Sequence, residues 1–216
     1  MTAIRIIGDV HGKFRDYRDI IRDVPRSIQV GDMGVGFRNR FGEPTANPPY
    51  DSMSRGDHKF IRGNHDNPQA CERHPYWIPD GSFVPATNGD MQTGIYCLGG
   101  AVSIDKAWRT QGLDWWPDEE CSYAELERMI DDYAAIKPDV VVTHDCPSSI
   151  ANEILSAFNM KKIEDGSRTR VALERMLESH QPREWFFGHW HVSLSFVRGQ
   201  TRFTCLNELE HVDVDI

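Results

Sequence analysis

Five short clusters of ligand-type residues are spread along this chain, and each follows a strand-like apolar run. Gly8-Asp9-Val10-His11-Gly12 follows Arg5-Ile6-Ile7, and Gly31-Asp32-Met33-Gly34 follows Ser27-Ile28-Gln29-Val30. Gly63-Asn64-His65-Asp66 follows Lys59-Phe60-Ile61-Arg62, and His144 ends Val140-Val141-Val142-Thr143. Gly188-His189-Trp190-His191 follows Trp185-Phe186-Phe187. In open α/β sheets, ligands gather beyond the carboxyl ends of the strands. The chain is therefore constrained to a fold in which five strand ends converge. The flanking glycines permit the tight turns and close backbone approach that such convergence needs.

Asp32 is the group the other clusters supply partners for. A carboxylate has two free oxygens and can bridge two cations. Imidazole and carboxylate ligands suit divalent ions of the Mn, Fe and Zn type. Two such ions, about 3.5–4 Å apart, clamp a phosphoryl group and generate a nucleophile from water. Any one of these histidines alone fits a structural role as well; order and spacing taken together point to a two-metal phosphoester hydrolase.

The intervening chain reads as mixed α/β. Phe14, Tyr17, Ile21 and Val24 recur at helical spacing up to Pro25, between two strands, which predicts a βαβ unit with parallel pairing. Residues 35–56 carry Gly and Pro without periodicity and predict a long loop, in which Arg38, Arg40 and Arg55 offer charge to an anion or merely to solvent. Residues 67–82 read as loop, and 83–103 as β-rich with a hairpin turn at Asn88-Gly89. Ser122 and Glu125 form a capping box that opens a helix through Leu126, Met129, Ile130 and Tyr133. Further helices are expected at 148–158 and around Leu173, Met176 and Leu177. Leu194–Val197 and Arg202–Leu206 alternate as two antiparallel strands around Gly199. With no repeat or linker, one domain is expected over residues 1–216.

Composition excludes some classes. The hydrophobic share of 39% and charged share of 26% are those of a soluble globular protein. No apolar run approaches the ~18 residues of a membrane span. The amino terminus lacks the shape of a signal peptide, so the expectation is a cytoplasmic protein starting at Met1. Five scattered cysteines without a Cys-x-x-Cys pair fit reduced thiols. The net charge of −9 argues against nucleic acid as partner.

The five ordered motifs resemble those of the calcineurin-like metallophosphoesterase superfamily, over essentially the whole chain. That resemblance implies a four-layer α/β/β/α sandwich with mixed sheets. It implies two divalent metal ions, Mn first, with Fe, Zn, Ni or Mg as the other candidates. Asp9, His11 and His191 would hold one ion, Asn64, His144 and His189 the other, and Asp32 would bridge them. His65 would serve the catalytic step by protonating the leaving oxygen or stabilising charge on phosphate, while a metal-bridging hydroxide attacks in line; Asp66 beside it reads, from the residues alone, either as a catalytic support of His65 or as a cap on the next turn. Asn64, Arg62 and Arg109 are the expected substrate contacts. The implied substrates are phosphomonoesters or small phosphodiesters: phosphoprotein, as for the Ser/Thr phosphatases, nucleotide or another small phosphoester. A nucleic-acid or cyclic-nucleotide phosphodiesterase and a non-catalytic metal-binding scaffold are the alternatives.

Two departures stand out. The Ser/Thr phosphatase branch continues its second motif as Gly-Asp-x-x-Asp-Arg-Gly, whereas here Gly31-Asp32 runs into Met33-Gly34-Val35-Gly36. The acid that would orient the catalytic histidine and the phosphate-binding arginine are both missing there. Trp108, Trp115 and Trp116 cluster around Arg109, and read either as a rim over the metals or as a satellite core.

Overall fold

The computed structural model describes residues 3–38, 41–43, 47–86, 93–160 and 166–216. Ten strands and six α-helices follow one another, among these residues, as β1 (Ala3–Ile7), α1 (Phe14–Ile21), β2 (Arg26–Gln29), α2 (Tyr50–Met53), β3 (Asp57–Phe60), α3 (Pro68–Cys71), β4 (Ser82–Pro85), β5 (Gly94–Leu98), α4 (Tyr123–Ile136), β6 (Val140–Thr143), α5 (Ser148–Ala157), α6 (Arg168–Ser179), β7 (Glu184–Phe187), β8 (Leu194–Arg198), β9 (Thr201–Cys205) and β10 (His211–Asp215). One sheet has the order β10-β1-β2-β3, the other β4-β5-β6-β7-β9-β8. The strands β1, β2 and β3 are parallel, as are β5, β6, β7 and β9; β10, β4 and β8 pair antiparallel at the edges.

Period-two alternation sorts the side chains into layers. Ile4 and Ile6 of β1, Ile28 of β2, Ile95 and Cys97 of β5, Val140 and Val142 of β6 and Phe186 of β7 form the core between the sheets. Their neighbours Tyr96, Leu98, Val141, Trp185 and Phe187 point the other way, against α4, α5 and α6. Ile7 and Phe60 pack outward with Phe14, Tyr17 and Ile21 of α1. The result is the four-layer α/β/β/α sandwich with mixed sheets. The capping box is realised: Glu125 N donates to Ser122 Oγ, and Ser122 N donates to Glu125 Oε2 at 2.8 Å.

Three local readings change. Among its described residues the 35–56 stretch contains a single helical turn, α2, whose Met53 is buried, and α3 is likewise one turn; four residues are too few to display a helical period. The tail holds a further strand, β10, paired antiparallel with β1 and tied to it by Arg5 and Asp213. Its half-buried Val212 and Val214 cover one face of a sheet edge, a pattern too short to stand out. Arg40 and the Asn88-Gly89 turn lie outside the described residues. Among the described residues no helix is long and apolar enough to cross a membrane.

Candidate metal centre

Every ligand-type cluster sits just past the carboxyl end of a parallel strand: Asp9 after β1, Asp32 after β2, Asn64 after β3, His144 after β6 and His189 after β7. The first three come from one sheet and the last two from the other, so the site lies where the sheets meet. Backbone contacts lock the loops together. Asp32 O accepts the amides of Val10 and His11 at 3.1 and 2.7 Å, and Gly188 N donates to His144 O at 3.1 Å.

Two ligand sets result. In the first, His191 Nε2 is 3.1 Å from Asp9 Oδ2 and 3.0 Å from His11 Nε2. His11 Nε2 in turn is 3.8 Å from Asp9 Oδ2 and from Asp32 Oδ2. The ligand atoms of Asp9, His11, Asp32 and His191 all lie within 4.8 Å of one another. In the second, Asn64 Oδ1 is 3.1 Å from His144 Nε2 and 3.0 Å from His189 Nδ1, with Asp32 Oδ1 3.4 Å from His144 Nε2. Asp32 thus turns one oxygen to each set. The opposite nitrogen of His144 faces Val30 O at 2.9 Å, which directs its Nε2 to the site.

This packing leaves no room for a Cβ at two glycines. At Gly63 it would collide with Asp32 Oδ1, and at Gly188 with Asp9 Oδ1. The backbone is also held in the left-handed region at His11, Asp32, His189 and His191, with φ of 48, 58, 68 and 51°. Such conformations cost free energy and gather where surrounding structure enforces them for function.

The charges fit cations. His144 is pushed up to about 10: burial opposes its charge, and the Asp32 carboxylate outweighs burial. Asp32 is held well below the usual carboxylate range, since His144, His65 and His11 overcome its burial. The hydrogen bond that His191 donates to the Asp9 carboxylate raises His191. An oxygen-and-imidazole donor set carrying two buried carboxylates suits divalent transition ions, and an amide oxygen completes the second set. The residues present fit divalent metal ions.

His65 donates its backbone N–H to Asp32 Oδ1 at 2.7 Å. Its ring stacks on Phe37, with centroids 5.6 Å apart, and its two nitrogens face Arg109, Nη2 at 2.9 Å from Nε2 and Nη1 at 3.3 Å from Nδ1. Asp105 grips Arg109 in turn, Nε to Oδ1 at 2.6 Å and Nη2 to Oδ2 at 2.7 Å. Burial holds His65 below the ordinary histidine range; Asp32 pulls it up, and Arg109 pushes it further down. A cleft of about 260 Å³ opens over Asp32, Asn64 and His65, flanked by Arg109, Arg170 and Trp190.

Two expectations are corrected. Arg62 does not face the cleft. It is buried, ion-paired with Asp80 at 2.6 Å, and spends its other donors on Asp118 O and Glu119 O. Its chemistry is that of a strut between loops. Asp66 does not reach the His65 ring: Oδ1 accepts from Gly34 N and Val35 N, Oδ2 from Met33 N and Gly63 N, at 2.7–3.1 Å. It clamps the Asp32 loop to the Asn64 loop. Arg38 donates to Gly42 O and is exposed, and Arg55 lines a separate cavity with Arg18 and His58. The tryptophans divide, with Trp108 90% exposed and Trp116 buried near Phe37.

Residues outside the motifs also adjoin the site. Asp145 accepts from Trp190 Nε1 at 3.0 Å and pairs with Arg170 at 3.0 Å, beneath one side of the cleft. Ser103 and Glu119 lie behind Asn64. Asp145 was readable as a neighbour of His144; Arg170, Ser103 and Glu119 carry no local signal, because only long-range folding brings them near.

A profile of the calcineurin-like phosphoesterases matches residues 2–193. Among solved structures the chain is similar to a Staphylococcus aureus protein assigned as a 5′-nucleotidase and solved with α-ketoglutarate, at TM-score 0.56 and 15% identity, covering 99% of this chain and 51% of that one. It is also similar to a conserved Streptococcus pneumoniae protein, a predicted phosphoesterase, at TM-score 0.43 and 12% identity, covering 99% and 83%. No curated protein matches it. With five strand-end motifs assembled into two ligand sets and the family profile spanning most of its length, the chain belongs to the calcineurin-like phosphoesterases, and its chemistry is metal-dependent hydrolysis at phosphoester bonds.

Proposed function

We propose that this chain is a dinuclear phosphoesterase acting on phosphomonoesters or small phosphodiesters. The observation that carries this reading is the division of the Asp32 carboxylate, Oδ2 toward His11 and Oδ1 toward His144. Asp9, His11 and His191 would hold one ion, Asn64, His144 and His189 the other, and Asp32 both. Bound there, divalent ions, Mn foremost, polarise phosphoryl oxygens and activate water.

The chain's own residues supply positioning and proton handling. Arg109 is a permanent donor, so Nε2, the nearer of the two His65 nitrogens it faces, accepts and carries no proton there. A phosphate entering the cleft offers that guanidinium a charged acceptor, which binds it more strongly than a neutral imidazole does. Arg109 then contacts phosphate, and the released His65 nitrogen is free to take up a proton from water and pass it to the leaving oxygen. Ile104, Met160 and Trp190 line the cleft beside these groups and favour a substrate with an organic flank. The net charge of −9 disfavours nucleic acid, and five free, buried cysteines support a reducing, cytoplasmic setting.

The test is hydrolysis of p-nitrophenyl phosphate beside bis-p-nitrophenyl phosphate, with Mn²⁺ and with EDTA. Mn²⁺-dependent release from either ester supports the reading, and the preferred ester tells phosphatase from phosphodiesterase. No release from either, with two ions bound, overturns catalysis in favour of a binding role.

A further inference from the structure

Behind Asn64, on the side away from the histidines, runs a buried polar chain that the chemistry above does not use. Asn64 Nδ2 donates to Ser103 Oγ at 3.0 Å. Ser103 Oγ donates to Glu119 Oε2 at 2.6 Å, and Ser103 N donates to Glu119 Oε1 at 2.9 Å. Asn64, Ser103 and Glu119 are 3, 1 and 4% exposed.

The direction of each bond follows from donor inventory. A hydroxyl has one proton. Both Glu119 oxygens accept from Ser103, so that proton is committed to Glu119. Ser103 therefore presents only a lone pair to Asn64, and only the NH₂ end of the amide can meet it. The Asn64 oxygen is left pointing at His144 and His189. The two ends of an asparagine amide are nearly identical in shape, so packing alone does not choose between them. Hydrogen bonding does, and metal coordination requires the oxygen.

We propose that Glu119 and Ser103 are positioning residues that hold the Asn64 amide with its oxygen toward the second ligand set. This rests on the two-ion reading above. Glu119→Gln tests it at constant shape. The new NH₂ must face either the Ser103 amide N–H, donor against donor, or the Ser103 hydroxyl. The second choice makes the hydroxyl accept, turns its proton toward Asn64 and favours the reversed amide. Ser103→Ala removes the lock without reversing it.

The experiment is Mn²⁺ titration of wild type and both variants, followed by electron paramagnetic resonance, with the unfolding midpoint measured without metal. Wild type binds two ions. Glu119→Gln keeps one at wild-type affinity and binds the other about 10–100-fold more weakly, the usual range for an outer-shell partner. Ser103→Ala weakens the same ion by less. In a His191→Ala background, where only the second set is complete, Glu119→Gln weakens the single ion bound. Wild-type affinity for both ions in the two variants overturns the proposal. So does equal weakening of both ions with a lowered midpoint, which assigns these residues to general stability. If Glu119→Gln does not fold, Ser103→Ala decides by the same criteria. A wild type that binds fewer than two ions refutes the two-ion reading itself, and the proposal with it.

Discussion

The two ligand sets share one carboxylate but differ in build. In the first, the His191 side chain is 48% exposed and His11 17%, and a surface carboxylate, Glu208, lies 3.9 Å from His11. In the second, His144 is fully buried and backed by Val30 O, and Asn64 is backed by Ser103 and Glu119. One half has its two histidines partly open to water around a buried Asp9. The other is preorganised by contacts behind the ligands. Preorganised donors bind without reordering cost, whereas open ones exchange more readily. On the two-ion reading proposed above, the comparison predicts that the second set would anchor its ion and the first would exchange its own more readily.

Asp32→Asn strikes the link between the halves and carries the largest expected effect. Both ions are lost together and hydrolysis falls to background, as metal analysis after gel filtration and an ester assay will show. If only one ion disappears, the halves are not joined through Asp32. Next comes His65→Ala, which leaves both ions bound and lowers kcat by about 10²–10⁴-fold, the range for a general acid. An unchanged rate removes His65 from the chemistry. Arg109→Lys should follow, with Mn²⁺ content intact and KM for a phosphomonoester raised by roughly tenfold, since a point charge replaces a fork that binds phosphate bidentately. A KM equal to wild type would leave Arg109 as a partner of His65 alone.

The halves themselves separate under chelation. EDTA should strip one ion quickly and the other slowly, and His191→Ala should abolish the fast phase while His144→Ala abolishes the slow one. A single phase in wild type would erase the difference drawn from burial.

The smallest effect lies outside both halves and serves as a control for pH studies. His74 is buried against Phe60 and Tyr50, and burial pushes it down from 6.5 to about 4. The folded chain keeps it neutral while the unfolded chain takes up a proton below 6.5. Its contribution is therefore complete above pH 6.5 and is lost as pH falls toward 4. His74→Phe should flatten the fall in urea midpoint between pH 7 and 5 without changing Mn²⁺ binding at pH 7. An unaltered slope would place the acid sensitivity elsewhere.

The positions of the candidate metal ligands were legible because each follows its own strand, and local order survives folding. Asp9, Asp32, Asn64, His144 and His189 all stand where the apolar runs said strands would end. Roles that depend on direction were not legible. Arg62 and Arg109 are both arginines near motif residues, yet one is a buried strut and the other meets His65. Asp66 is adjacent to His65 and faces the opposite way, into the amides of the Asp32 loop.

By itself the sequence determined where the parallel strands end, the longer helices between them and the side chains proposed to bind metal, since apolar period and strand-end position are properties of neighbours along the chain. Tertiary structure alone decided which carboxylate oxygen faces which histidine, which arginine reaches the cleft, and that Ser103 and Glu119 stand behind Asn64. Those facts depend on two sheets packing face to face. Residues separated by 39 and 80 positions, such as Asn64 with Ser103 and with His144, meet only then.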